Sequence, residues 1–296
     1  MGRPHQAGQD PSTTTPQTYT LQLRDYHGFN TNLAKAKMLP LRLCIGGKIY
    51  GSVGISGTRV SPNRMVKINC EEPEIEAHRY VAANTTIPLP QLHRVHKYRG
   101  QLAVETKFLP GCKTLQKCWK RFTDVEKQAL VDEISGYIKQ LRELEPPKAH
   151  RVSSTEGNAC RQIRVGSVKR FGPFDDIPAF HKLIRGNWDF EKAQQMFGAD
   201  VVQVHQRDYK IRFTHGDLGV QNIMVRDDAT VAAIIDWECA GWYPEYWEYT
   251  MAHYNYVLLP EFYDMLREKI DRYDDELKAE RSLWRWLDQP LDEDYS

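Results

Sequence analysis

The sequence has almost no excess charge. Its 40 Lys and Arg residues stand against 39 Asp and Glu, leaving +1 over 296 residues. No global field therefore draws the chain to nucleic acid or to an anionic membrane. Long apolar runs are missing as well. The longest, Val231–Ile235, has five residues, whereas a membrane-spanning helix needs about 20. The first twenty residues have no apolar stretch of the kind a secretory leader carries. The six cysteines, Cys44, Cys70, Cys112, Cys118, Cys160 and Cys239, form no CxxC pair, and the ten histidines form no HExxH. A disulfide framework and a zinc site are both disfavoured. The expectation is a soluble, cytoplasmic globular protein, since 41% hydrophobic and 27% charged residues suffice for a sizeable core.

Residues 1–20, rich in Pro, Gln, Ser and Thr, read as a flexible tail. Residues 21–108 read as a small sheet lobe and residues 109–296 as a larger, mostly helical lobe. Leu41–Ile45 alternates like a strand, and a glycine-bearing turn with Gly51, Gly54 and Gly57 follows. Met65–Asn69 is a strand whose period of two sets Val66 and Ile68 on one face and Lys67 on the other. Pro73 opens a helix ending near Asn84, and Leu92–Tyr98 with Gln101–Phe108 form a hairpin across Arg99-Gly100. The front of the chain is thus a sheet of about five strands carrying one helix.

Beyond Gly111 the pattern turns helical. Thr123-Asp-Val-Glu126 has the form of a capping box, and Leu130, Ile134, Ile138 and Leu141 recur at helical spacing until Pro146-Pro147. Residues 150–172 are polar and irregular. Ile177–Arg185 and Phe190–His205 read as helices, Ile223–Val225 and Val231–Ile235 as a hairpin, and Tyr246–Leu287 as helical. A bilobal α+β architecture is expected.

The chemistry concentrates in Phe213-Thr-His-Gly-Asp-Leu-Gly-Val-Gln-Asn222 and in Asp236, which directly follows an apolar strand. Asp217, Asn222 and Asp236 supply oxygen donors near adjacent strand ends, a set suited to a hard cation shared with phosphate. Each alone also suits a turn or a cap. The order gives them weight. Glycine turn, strand Lys67, helix Glu76, hinge, helical lobe, HxDxxxxN and strand-end Asp236 follow one another as the parts of a phosphoryl-transfer site do.

With Leu109-Pro110-Gly111, Gly172-Pro173-Phe174, Asp236-Trp237-Glu238 and Ala240–Glu248 added, the chain resembles the aminoglycoside phosphotransferase/choline kinase branch of the protein-kinase-like superfamily. It is especially similar to the small-molecule phosphotransferase-like proteins of filamentous fungi. The resemblance implies a bilobal kinase-like fold using ATP and Mg²⁺. It also implies roles: Lys67 on the α/β-phosphates, Glu76 holding Lys67, and Asp217 orienting the acceptor hydroxyl and taking its proton. Asn222 and Asp236 would hold Mg²⁺, Gly51, Gly54 and Gly57 would cover the triphosphate, and backbone groups around Glu105 and Lys107 would meet the adenine. His215 would orient the loop without acting as a base. Gln221 and Val220 replace a basic residue and a proline common in the fungal relatives, and Glu74 competes with Glu76 as partner of Lys67.

The implied partners are a nucleotide and a small hydroxyl acceptor: an amino sugar, an amino alcohol or a secondary-metabolite intermediate. Nucleic acid, membrane and protein partners have no signature. The aromatic and acidic cluster from Trp237 to Tyr249 suits either lobe packing or an acceptor pocket. A catalytically weak, nucleotide-binding regulatory protein is the alternative to an enzyme. A protein kinase is disfavoured by the missing APE and by Gly216 in place of the usual arginine.

Overall fold

The structure is a computed structural model describing residues 38–54 and 56–288, except the side chains of residues 167–169. The tail read at residues 1–20 lies outside the described residues. Among the described residues, no helix is long and apolar enough to cross a membrane.

Helix α1 (Leu39–Tyr50) precedes strands β1 (Ser52–Val53), β2 (Gly57–Ser61) and β3 (Arg64–Cys70). Helix α2 (Glu72–Asn84) and strands β4 (Leu92–Tyr98) and β5 (Gln101–Lys107) complete the first lobe. The sheet is antiparallel, in the order β1-β2-β3-β5-β4. Arg99 and Gly100 both have positive φ, as a two-residue hairpin turn requires.

The strand expected at Leu41–Ile45 is helix α1, a correction with a simple cause. Pro40 sits in the first turn, and Leu39 and Leu43 pack on Val66 and Ala103 of the sheet. Leu41, Ile45 and Ile49 are exposed on the same helix. With apolar residues on both sides, five residues of such a helix mimic alternation. The lobe therefore carries two helices, and β1 supplies the fifth strand.

On the other face of the sheet, Cys70, Val104 and Ile75 of α2 cluster. Asn69, at φ 61°, lies where the β3–β5 register shifts. This bulge turns Cys70 onto the Lys67 face, which strict alternation denies it.

The second lobe opens with β6 (Lys113–Thr114), α3 (Leu115–Cys118) and the long α4 (Asp124–Glu143). Thr123 and Glu126 close the expected capping box at α4. Where irregular chain was expected, β7 (Ser153–Ser154), β8 (Cys160–Gln162) and β9 (Gly166–Phe171) form. The helix read over 190–205 is two, because Gly198 at φ 95° breaks α6 (Phe190–Phe197) from α7 (Ala199–His205), after α5 (Ile177–Ile184). Strands β10 (Ile211–Thr214), β11 (Ile223–Val225), β12 (Val231–Ile234) and β13 (Gly241–Pro244) follow. Helices α8 (Trp247–Tyr254), α9 (Pro260–Arg267) and α10 (Asp274–Leu287) end the lobe.

The core of this lobe packs α4 against the short sheets β10-β13-β7 and β12-β11-β6 and the aromatics of α8 and α9. Trp237, Trp242, Tyr243, Tyr246, Trp247 and Tyr249 are all buried. The packing reading of that cluster is the one the structure bears out. The fold is α+β and bilobal, and the loop from β10 to β11 is held where the lobes meet.

Candidate active site

Lys67, Asp217, Asn222 and Asp236, with Glu74, come together from four separate stretches of chain. Lys67 leaves β3 on the face away from Val66, and its Nζ lies 2.7 Å from Asp236 Oδ1 and 2.7 Å from Glu74 Oε1. Burial opposes the ammonium charge, but the two carboxylates outweigh it and raise the Lys67 pKa. Lys67 is charged and fixed.

The Lys67 partner is Glu74, not Glu76. Two residues on a helix turn the side chain through about 200°, so Glu76 faces away from Lys67. One of its carboxylate oxygens is buried without a partner among the described residues. Burial, with Glu156 and Glu72 nearby, pushes the Glu76 carboxyl up to about 7.

Asp217 lies in the turn that leaves β10. Its Oδ2 accepts from Asn222 Nδ2 at 2.9 Å and its Oδ1 from Asn255 Nδ2 at 2.9 Å. Asn222 also donates to the Asp217 carbonyl at 2.8 Å, so the loop closes on itself. Burial raises the Asp217 carboxyl to about 6, the Asn255 bond opposes this, and Asp236 adds to the rise.

The loop is held from beneath. His215 is fully buried, its Nδ1 accepting from the Asp217 N–H at 3.2 Å and its Nε2 lying 3.1 Å from the Ile235 carbonyl. These contacts require a neutral ring protonated at Nε2, and burial lowers its pKa to about 4. An imidazole so committed orients the chain and has no role as a base. The His215 N–H donates to buried Glu248 Oε2 at 2.6 Å, and burial pushes that carboxyl up to about 7. Gly216, at φ +78°, passes so close to Cys239 that a Cβ would sit 2.6 Å from the Cys239 carbonyl oxygen. Only glycine suits that position.

Asp236 itself is in left-handed backbone, φ 68° and ψ 61°. For a residue other than glycine this costs about 1 kcal/mol or more, and it turns the carboxylate from the strand end toward Lys67. Ligand oxygens of Glu74, Asp236 and Glu238 lie within 4.8 Å of one another. Glu238 is in turn 3.2 Å from Arg161. Glu74 is taken by the Lys67 ammonium, so a hard divalent cation would be held by Asp236 and Glu238. Asn222, whose amide nitrogen is committed to Asp217, keeps its carbonyl oxygen as a ligand atom.

The remaining expected site residues sit differently. Gly51 ends α1, Gly54 lies between β1 and β2, and Gly57 opens β2 directly opposite Lys67. The hairpin therefore borders the lysine. A Cβ on Gly57 would lie 2.3 Å from the Val53 carbonyl oxygen, so tightness of the hairpin explains that glycine.

Glu105 is central in the sheet, paired with Val66 on one side and Arg94 on the other. The Lys107 N–H donates to the Gln91 carbonyl and the Phe108 N–H to the Asn63 carbonyl. These two bonds commit the Lys107 and Phe108 N–H groups to the sheet. The Glu105 side chain serves the fold: it accepts both Arg42 nitrogens, at 3.0 and 2.9 Å, and contacts His96 at 3.1 Å.

Sequence reasoning missed Glu248 and Asn255 as parts of the site. Glu248 stood only in the aromatic cluster, and Asn255 had no motif. The spacing of seven between them was the available signal.

The sequence model of the phosphotransferase enzyme family, APH, matches residues 72–284. No curated protein matches the chain. Among solved structures, the GDP and kanamycin complex of APH(2")-IIia aligns with TM-score 0.53 at 15% identity, covering 81% of this chain and 83% of that one. The GDP complex of wild-type aminoglycoside 2'-phosphotransferase-IIIa aligns with TM-score 0.52 at 14% identity, covering 82% and 86%. At such identities these likenesses speak for the fold. The family match spans most of the chain and includes Glu74, Asp217, Asn222 and Asp236, and the chain belongs to the phosphotransferase enzyme family.

Proposed function

We propose that the protein is an ATP- and Mg²⁺-dependent kinase that phosphorylates a hydroxyl group of a small molecule. The observation carrying this reading is the 2.7 Å contact between Lys67 of the sheet lobe and Asp236, beside the Asp217–Asn222 loop. It gathers a phosphate-binding cation, a metal-binding carboxylate and a base around one point.

Asp217 takes the proton of the acceptor hydroxyl. The oxygen then attacks the γ-phosphorus, the bond to the bridging oxygen breaks, and ADP leaves. A carboxyl raised to about 6 is ionised at neutral pH yet basic enough to accept that proton. Lys67, held by Glu74, meets the α/β-phosphates, and the β1–β2 hairpin with its glycines covers the triphosphate. Asp236 and Asn222 would hold Mg²⁺, with Glu238 alongside, and the ion would neutralise phosphate charge. Most of the rate comes from positioning, as little covalent work is required of the protein. The acceptor is an amino sugar, an amino alcohol or a secondary-metabolite intermediate.

The test is mass spectrometry of a metabolite pool incubated with protein and Mg-ATP, with GTP as a parallel donor. An acceptor gaining one phosphoryl group is expected with the native chain and not with Asp217→Asn. Equal turnover by both proteins would overturn the assignment of Asp217.

A further inference from the structure

One helix holds the Asp217 loop at two points. In the first turn of α8, Glu248 accepts the His215 N–H at 2.6 Å. At its C-terminal cap, Asn255 donates its side-chain amide to Asp217 Oδ1 at 2.9 Å. Seven residues make about two turns, so the two side chains lie on one face of the helix roughly 10 Å apart. One contact fixes the backbone before the carboxylate, and the other fixes the carboxylate itself.

We propose that Asn255 is a positioning residue for Asp217, and that α8 is a two-point clamp setting the orientation of the base. This rests on the reading of Asp217 as the group that takes the acceptor proton. Asn222 grips Oδ2 from within the loop and Asn255 grips Oδ1 from the helical side, so the carboxylate torsion is fixed by two donors. Each oxygen keeps further lone-pair capacity for an acceptor hydroxyl. A carboxylate only accepts, so the atom of Asn255 facing it is the amide nitrogen. A neutral amide orients the group without the stronger loss of basicity an ammonium would impose.

Helix capping does not explain the asparagine. Asn255 has φ −88° and ψ 8°, a conformation most residues adopt at a helix end. Its backbone N–H donates to the Ala252 carbonyl whatever the side chain. The side chain is free to serve Asp217.

The experiment compares the native chain with Asn255→Ala, Asn255→Gln, Glu248→Ala and Asp217→Asn. Turnover is followed with Mg-ATP and water as acceptor, alongside hydrogen exchange of the backbone amides at 215–217. Asn255→Ala is expected to lower kcat about tenfold, the scale of one hydrogen bond to a charged group, with KM for ATP within about twofold. Asn255→Gln, which keeps the amide, recovers part of the loss. Exchange at 215–217 is expected to accelerate about tenfold in Glu248→Ala and Asn255→Ala relative to Ile223–Val225.

Native kcat in Asn255→Ala, or exchange at 215–217 unchanged in both variants, would overturn the clamp. So would parallel loss of kcat, KM and melting temperature, since that is what a purely structural role gives. Turnover surviving Asp217→Asn would instead remove the catalytic reading, while the exchange rates still decide whether the clamp exists.

Discussion

Around Asp217 the opposing influences are unequal. Burial and the neighbouring Asp236 favour the proton, two amide donors oppose it, and the carboxyl ends near 6. A base works only when ionised, so activity is lost as pH falls through that value. That value belongs to the free protein, so the acid limb should show in kcat/KM, half-maximal near pH 6 and about tenfold lower one unit below. In kcat, a Mg²⁺ held by Asn222 and Asp236 would move the limb to lower pH. A kcat/KM flat from about pH 8 down to about pH 4.5 would exclude Asp217 as the base. Lys67 offers a second test. Glu74→Gln replaces a carboxylate 2.7 Å from the ammonium and should lower kcat/KM for ATP at least about tenfold, the scale of one charge-assisted bond. Glu76→Gln should leave it within about twofold, and steady-state kinetics on both variants check this. The sequence did not separate these glutamates because both lie in the first turns of one helix. Which one faces β3 depends on where the bulge at Asn69 releases the chain into α2, a matter of one residue.

Elements were legible where one period dominated. Helix α4 shows a capping box and a single apolar stripe, and the β4–β5 hairpin shows alternation around Arg99-Gly100; both formed as expected. Helix α1 failed as a strand because its two apolar faces hide the helical period, and because the group that anchors it is polar. Arg42 reaches Glu105, which is buried against the sheet with His96. Burial alone would raise that carboxyl, yet the His96 and Arg42 bonds hold it well below the usual range. No local pattern announces a partner 63 positions away. Truncating Glu105 strands a guanidinium and an imidazole at the interface. Glu105→Ala should therefore cost about 3 kcal/mol, the lower end for breaking a buried pair because Arg42 can rehydrate. Urea unfolding of the two proteins measures it, and a loss below about 1 kcal/mol would mean that apolar contacts alone hold α1.

At the scale of the molecule, four of the five side chains singled out by their order along the chain gather at one place, with Glu74 taking the part expected of Glu76. What the order could not supply is how the lobes are braced. Glu71, at the start of α2, pairs with Arg170 of β9 and lies 3.7 Å from Arg161 of β8, which in turn lies 3.2 Å from Glu238. This chain of charges ties the helix carrying Glu74 to the segment carrying Asp236. It runs through a stretch that read as irregular loop, because strands of three and six residues with mixed polarity have no legible period. Half-exposed pairs contribute little stability singly, about 0–1 kcal/mol each, so the brace should affect geometry more than melting. Glu71→Ala should lower the melting temperature by less than about 2 °C yet reduce kcat/KM for ATP about threefold at low ionic strength, since α2 is then less firmly held over Lys67. Salt screens such pairs over about 10 Å at 0.1 M, so the native rate should fall toward that of the variant as salt rises, while the variant changes less. Parallel salt dependence in the two proteins would show that Glu71 pairs with the hairpin without bracing the lobes.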